Sequence, residues 1–205
     1  MNVQHISNPF PYIIVRDLYD SGQLESIWEE LKFLGHTQKL SGPADTGSAT
    51  KPMEGSEEKK YLKQNNGVWL DNVFADRKYS NILQINRKLF ALREIIWMNH
   101  PHWYFHQDGL LKDTTLISYY ENTDYYHTHK DTAYFTAITW FFKEPKKFKG
   151  GNFYFDDYDV EIEVENNKMV IFPSVMNHSV DELKMSSQDL NKNLGRYSMV
   201  QFGNF

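Results

Sequence analysis

Leu24, Ile27, Trp28, Leu31 and Leu34 recur three and four positions apart, so DSGQLESIWEELKFLG (20–35) predicts an amphipathic helix buried along that stripe. Asp20 or Ser21 can cap its start and Gly35 can end it. The preceding run PYIIVRDL (11–18) reads as a strand, and so does GVWLDNVF (67–74). Ile82, Ile85, Leu89, Leu92 and Ile96 form a second helical stripe, which predicts a helix over roughly 76–98. Between the first helix and that strand, KLSGPADTGSATKPMEGSEEKKYLKQNNG shows no such pattern. It is poor in apolar residues and rich in Gly, Ser, Thr, Pro and charge, too little to offset the entropy of ordering. Residues 38–66 are therefore expected to form a mobile loop or lid.

From residue 103 onward the pattern changes to short aromatic and β-branched runs: TTLISYYEN, YFTAITWFFK, NFYFDD, VEIEVE, KMVIFPS and RYSMVQFGN. Turn signals such as KFKGGN and ENNK separate them. Helices first and a succession of strands afterwards predict a mainly β chain. Its antiparallel sheets would form a sandwich or jelly roll, with the N-terminal helices packed outside. No internal repeat or domain boundary interrupts the pattern, so residues 1–205 read as one domain.

Composition narrows the chemistry. Aromatic residues at 16% suit a β-rich core. A net charge of −5 argues against a nucleic-acid partner, which selects for basic excess. The absence of cysteine excludes disulfides, zinc ribbons and thiol catalysis, so any metal must be held by His, Asp or Glu. No apolar run approaches the roughly 18 residues of a bilayer span, and MNVQHISNPF lacks the regions of a signal peptide. A soluble, cytoplasmic protein with no membrane partner is expected.

In YYHTHKD (125–131), His127, His129 and Asp131 stand at every second position, so an extended chain sends all three side chains to one face. His-x-Asp occurs twice, as His106-Gln107-Asp108 and as His129-Lys130-Asp131. The first copy sits in a connector flanked by Pro101 and Gly109, where packing of aromatics is the simpler role; the second ends a strand-like run and precedes another. His178, just after the strong strand KMVIFP, is a candidate third ligand. Two histidines and one carboxylate with open positions make the facial triad of non-haem Fe(II) oxygenases. The His-x-His pair is also a cupin-like signature, but that pattern expects a glutamate which KDTAYFTAITW lacks.

YENTDYYHTHKD (120–131) resembles the Y-x-x-x-x-x-Y-x-x-H-x-D segment of prolyl 4-hydroxylase-like 2-oxoglutarate/Fe(II)-dependent dioxygenases, with Tyr120, Tyr126, His129 and Asp131 on the marked positions. FKGGNFYF (148–155) is similar to the family's Gly-Gly turn and next strand, MVIFPSVMNHSV (169–180) to the strand before its distal histidine, and GRYSMVQF (195–202) to its final strand. NPFPYIIVRDLYDSGQLESI looks like the family's opening strand and helix. The resemblance implies a double-stranded β-helix that binds Fe(II) through His129, Asp131 and His178. It implies 2-oxoglutarate held by Arg196 with Ser198 and Tyr120, dioxygen as oxidant and ascorbate in support. Arg196 departs from the lysine of many animal-type prolyl 4-hydroxylases, and KMSSQDLNKNL lengthens the interval from His178 to Arg196.

The implied reaction is hydroxylation of a C–H bond, with a prolyl residue of a peptide or protein as the leading substrate. A free amino acid or other small molecule is the alternative, and a non-catalytic jelly-roll binding module is a reading of another class. His127 is expected just outside the ligand set, lining the cavity mouth or bonding a carboxylate nearby. Trp140, on one strand face with Thr136 and Ile138, is either core or a wall of the cosubstrate pocket. DDYD (156–159) and the lysines of KEPKKFK (143–149) read as solvated surface.

Overall fold

The computed structural model describes residues 1–47, 50–52, 59–110 and 112–205. β1 (Asn2–Ile6) and β2 (Tyr12–Arg16) form an antiparallel pair, and the apolar YIIV run makes β2 an interior strand. α1 (Ser21–His36) begins with a capping box: the Asp20 carboxylate accepts from Gln23 N, and the Gln23 side chain accepts from Asp20 N. Ile27, Leu31 and Leu34 of its apolar stripe are fully buried. The helix runs one residue past Gly35 and is closed by Thr37.

The 38–66 stretch contributes β3 (Thr50–Pro52) paired with β4 (Lys59–Tyr61), and then β5 (Lys63–Gln64). Thr46, Lys63 and Asn65 within it are buried. Residues 48–49 and 53–58 of the expected lid lie outside the described residues.

β6 (Asn66–Trp69) occupies only the first part of the strand expected at 67–74, and the chain then turns into α2 (Leu70–Val73). The Asp71 carboxylate accounts for the change: it accepts from Thr115 N at 2.6 Å and from Arg77 at 3.0 Å, which holds the chain off the sheet.

The single helix expected over 76–98 is instead three short ones, α3 (Asn81–Ile85), α4 (Lys88–Ala91) and α5 (Arg93–Ile96). Its apolar stripe survives, with Ile82, Leu89 and Ile96 fully buried, but polar groups divide the backbone. Glu30 of α1 accepts from Ser80 Oγ (2.6 Å) and Ile82 N (2.9 Å), fixing a new start at Ser80. Asn86 is drawn to Thr115 and Arg77, which ends α3 after Ile85.

The second half supplies β7 (Lys112–Tyr120), β8 (Tyr125–His129), β9 (Phe135–Phe141), β10 (Phe148–Lys149), β11 (Phe153–Phe155), β12 (Val160–Ile162), β13 (Lys168–Pro173), β14 (His178–Val180), β15 (Lys184–Met185) and β16 (Arg196–Asn204). β7, β9, β11, β12, β13 and β16 match the six runs of the sequence, whereas β10 falls within the expected turn KFKGGN and β15 within KMSSQDLNKNL, the two pairing with each other. A seven-stranded sheet, β1-β2-β13-β9-β16-β7-β6, faces a five-stranded sheet, β12-β11-β14-β8-β5, with antiparallel pairing throughout.

The large sheet is apolar on both faces. Ile13, Ala137, Ile171 and Met199 pack towards the helices, while Ile14, Ile138, Val170 and Phe172 pack towards the smaller sheet. That is why its central strands read as unbroken apolar runs instead of alternating ones. The jelly roll with helices outside follows from this layering. No described helix is long and apolar enough to cross a membrane.

Candidate metal centre

His129 ends β8, His178 begins β14, and the two are direct partners across the antiparallel ladder. Their rings therefore lie side by side, with centroids 4.2 Å apart. Asp131 follows where the chain leaves β8 and is pinned by its own N–H to Ser174 O. One ligand atom from each of His129, Asp131 and His178 falls within 4.8 Å of the others, the one such group among the described residues. Asp131 Oδ2 is 3.5 Å from His178 Nε2, and Oδ1 is 3.8 Å from His129 Nε2.

Two backbone carbonyls set the tautomers. His129 Nδ1 lies 2.9 Å from His127 O, and His178 Nδ1 lies 2.9 Å from Met176 O. A carbonyl can only accept, so each Nδ1 carries the hydrogen and each Nε2 turns a lone pair towards Asp131. Burial pushes both imidazoles down to about 4, so the rings are neutral at ordinary pH. Burial also pushes Asp131 up, against the opposing hydrogen bond from Thr136 Oγ1 at 2.6 Å. Among the described residues no Lys or Arg pairs with Asp131. Two neutral nitrogens and one half-buried carboxylate without a cationic partner fit a divalent cation such as Fe(II), whose charge would offset the desolvation of Asp131.

The expected alternation of His127, His129 and Asp131 does not hold. Tyr126 pairs with Val180 and His129 with His178, so three steps along β8 match two along β14. This irregularity brings Tyr126 and His129 to the same side, where their rings stack at 3.6 Å and 9°. His127 is exposed and outside the cavity lining; its backbone carbonyl, not its ring, serves the site. The other His-x-Asp copy does no metal work in this geometry. His106 Nε2 bonds His100 O at 2.5 Å, and His100 packs on Phe105.

A cavity of about 410 Å³ lies between the sheets, lined by Ile138, Trp140 and Ser198 on one side and by His129, His178 and Val180 on the other. That volume suits a small ligand. Trp140 is thus both fully buried and a wall of the cavity. Tyr120 lines it too, and burial pushes its hydroxyl up to about 12, which keeps it a donor.

Arg196 lies opposite Tyr120, on the face of β16 that carries Ser198, beyond the end of the cavity lining. Its guanidinium sits 4.2 Å over the Tyr120 ring, and Nη1 donates to Gly151 O at 2.7 Å. Among the described residues Nε and Nη2 are buried without a hydrogen-bond partner. Burial lowers Arg196 to about 10, which leaves it charged. Two unmet donors on a buried cation are the fork that a carboxylate fits.

Glycines make this placement possible. Gly150 and Gly151 both take positive φ (66° and 69°) in the turn that presents the Gly151 carbonyl. A Cβ on Gly195 would stand 2.1 Å from Tyr120 O, so only glycine lets β16 enter this close to β7.

Two further residues had no signal in the sequence. Asn65 is 4% exposed and sits against the Tyr120 hydroxyl. Lys63 is 3% exposed, lines the cavity and donates to Thr46 O and Oγ1, both at 2.9 Å. Burial pushes its ammonium down to about 8. Both stand in an apolar-poor stretch whose place is set by contacts distant in sequence, the pairing of β5 with β8 and the bridge of Ser41 to Gly67.

No family model and no curated protein matches the sequence. Among solved structures the chain is similar to a Pseudomonas putida prolyl-4-hydroxylase at 13% identity and a TM-score of 0.58, covering 94% of this chain and 91% of that one. It is similar to the viral collagen prolyl hydroxylase vCPH of Paramecium Bursaria Chlorella virus-1, in its 2OG complex, at 12% identity and a TM-score of 0.54, covering 95% and 96%. OsALKBH1 matches at 11% identity and a TM-score of 0.50, covering 98% and 99%. The likeness spans nearly the whole of each chain and shows a shared fold, the jelly roll of these oxygenase structures.

Proposed function

We propose that the chain is a 2-oxoglutarate- and Fe(II)-dependent dioxygenase that hydroxylates a C–H bond. The observation that carries this reading is the convergence of His129, Asp131 and His178 in one cavity. Bound there, Fe(II) would couple decarboxylation of 2-oxoglutarate by dioxygen to hydroxylation of the substrate, releasing succinate and carbon dioxide. The protein's own part is to hold and orient. The carbonyls of His127 and Met176 fix the two imidazoles, and Thr136 fixes the Asp131 carboxylate. Arg196 would take the far carboxylate of 2-oxoglutarate through its unmet Nε and Nη2, with Tyr120 and Ser198 as neighbouring donors. Trp140 and Phe153 wall the cavity and exclude water.

Two of the structures with this fold are prolyl hydroxylases, which makes a peptidyl proline the first substrate to try.

The test is succinate formation by the purified protein with Fe(II), ascorbate, 2-oxoglutarate and oxygen, and mass spectrometry of candidate substrates for an added oxygen. His129→Ala and His178→Ala should each abolish turnover and weaken calorimetric Mn(II) binding. Full activity in either variant would sink the ligand assignment. A wild-type protein that binds metal and 2-oxoglutarate without turnover would point to the binding-module reading.

A further inference from the structure

Lys63 is a charged group that the chemistry above does not use. It is a two-residue strand's contribution to the cavity wall, buried to 3% exposure, and among the described residues its Nζ has only neutral oxygen partners, the carbonyl and hydroxyl of Thr46. Among the described residues no carboxylate lies within ion-pair distance of it. The nearest π-system is Tyr126, whose ring centroid is 5.6 Å from Nζ and which stacks on His129. The ammonium is therefore one aromatic ring removed from a proposed metal ligand.

An ammonium withdrawn from water without a counter-charge is costly, and surrounding dipoles recover only part of the loss. A ligand anion entering the cavity would supply the missing charge. The two carboxylates of 2-oxoglutarate already have partners if the oxygenase reading holds, one at the metal and the other at Arg196. That leaves Lys63 for a different anion.

We propose that Lys63, held in place by Thr46, binds a carboxylate of the substrate, so that the substrate class is a small carboxylate-bearing molecule such as a free amino acid. This rests on the oxygenase reading for the identity of the other two anion partners. An internal prolyl residue of a peptide has no carboxylate of its own at that position; a free amino acid always has one.

The test loads the protein with Fe(II) and 2-oxoglutarate under argon, so that nothing turns over, and measures binding by calorimetry. The probes are free L-amino acids, L-proline included, each paired with its own carboxamide, together with a prolyl peptide blocked at both ends. At least one free acid should bind, with its amide weaker by about tenfold or more. Lys63→Met should lower that acid to the level of its amide while leaving 2-oxoglutarate affinity within about twofold. Lys63→Arg should keep the preference. Lys63→Gln serves as a second neutral variant if the methionine protein folds poorly, with thermal melting reporting the fold of each.

The proposal is overturned if no acid binds, if amides or the blocked peptide bind as well as the acids, or if the neutral variants keep the preference. It is overturned equally if those variants lose 2-oxoglutarate instead, because the anion at Lys63 is then the cosubstrate's. A wild-type protein that takes up neither metal nor 2-oxoglutarate defeats the oxygenase reading separately. The acid–amide comparison on metal-free protein, with and without Lys63, then decides this proposal by itself.

Discussion

Arg196 shows how much one side chain depends on its surroundings. It is charged, fully buried, stacked on Tyr120, and uses one of its nitrogens on Gly151 while two donors stay unmet. Arg196→Leu should weaken 2-oxoglutarate binding by about 2–5 kcal/mol, because the far carboxylate would then be buried unpaired. It should leave 2-oxopentanoate, which lacks that carboxylate, nearly unaffected. Calorimetry of both ligands on Mn(II)-loaded protein checks this, and an equal loss for both would remove Arg196 from the role. Arg196 was legible in the sequence because it stands in a strand after the distal histidine. Asn65 was not, although it meets the same tyrosine. Nothing in an Asn between polar neighbours reveals that its amide is buried.

At the scale of elements, the close entry of β16 beside β7 places Arg196, and Gly195 permits it. Gly195→Ala should push the strands apart at a cost of about 1–3 kcal/mol. Urea unfolding should record the loss, and 2-oxoglutarate affinity should fall with Mn(II) affinity unchanged; a fall in both would mean that the damage is general. The strands were largely legible because apolar content and turn residues mark them locally.

What escaped was governed by partners distant in sequence. The helical stripe over 76–98 was correct in its apolar residues, yet Glu30 and Thr115, neither of them in that segment, decide where its helices break. The irregular pairing of β8 with β14 was hidden for the same reason. The pattern Y-x-x-H shows the spacing of Tyr126 and His129, but alternation alone would send them to opposite faces. Only the register against Val180 and His178 puts both rings in the cavity.

For the molecule as a whole, a cavity between two sheets that buries imidazoles links acidity to stability. His178 ordinarily titrates near 6.5 and is held down to about 4 in the fold, so between those values the unfolded chain binds the extra proton. Its contribution to stability is present above about pH 6.5 and is lost as pH falls through about 4. His129 shifts in the same direction, whereas Asp131, pushed up, works against it. Metal-free wild type should therefore melt progressively lower from pH 7.5 to 4.5, and His178→Asn should show a flatter fall. Parallel curves for the two proteins would contradict the buried neutral imidazole.

The stack of Tyr126 on His129 has a thermodynamic consequence. Lys63 Nζ lies 5.6 Å from the centroid of that tyrosine's ring, and His129, a proposed metal ligand, stacks on the same ring at 3.6 Å. A ligand that settles Lys63 would thereby restrain Tyr126 and, through it, the ring of His129. Such coupling is reciprocal: whatever factor the ligand adds to metal affinity, the metal adds to the ligand's. One aromatic contact would then make occupancy at either end a report on the other.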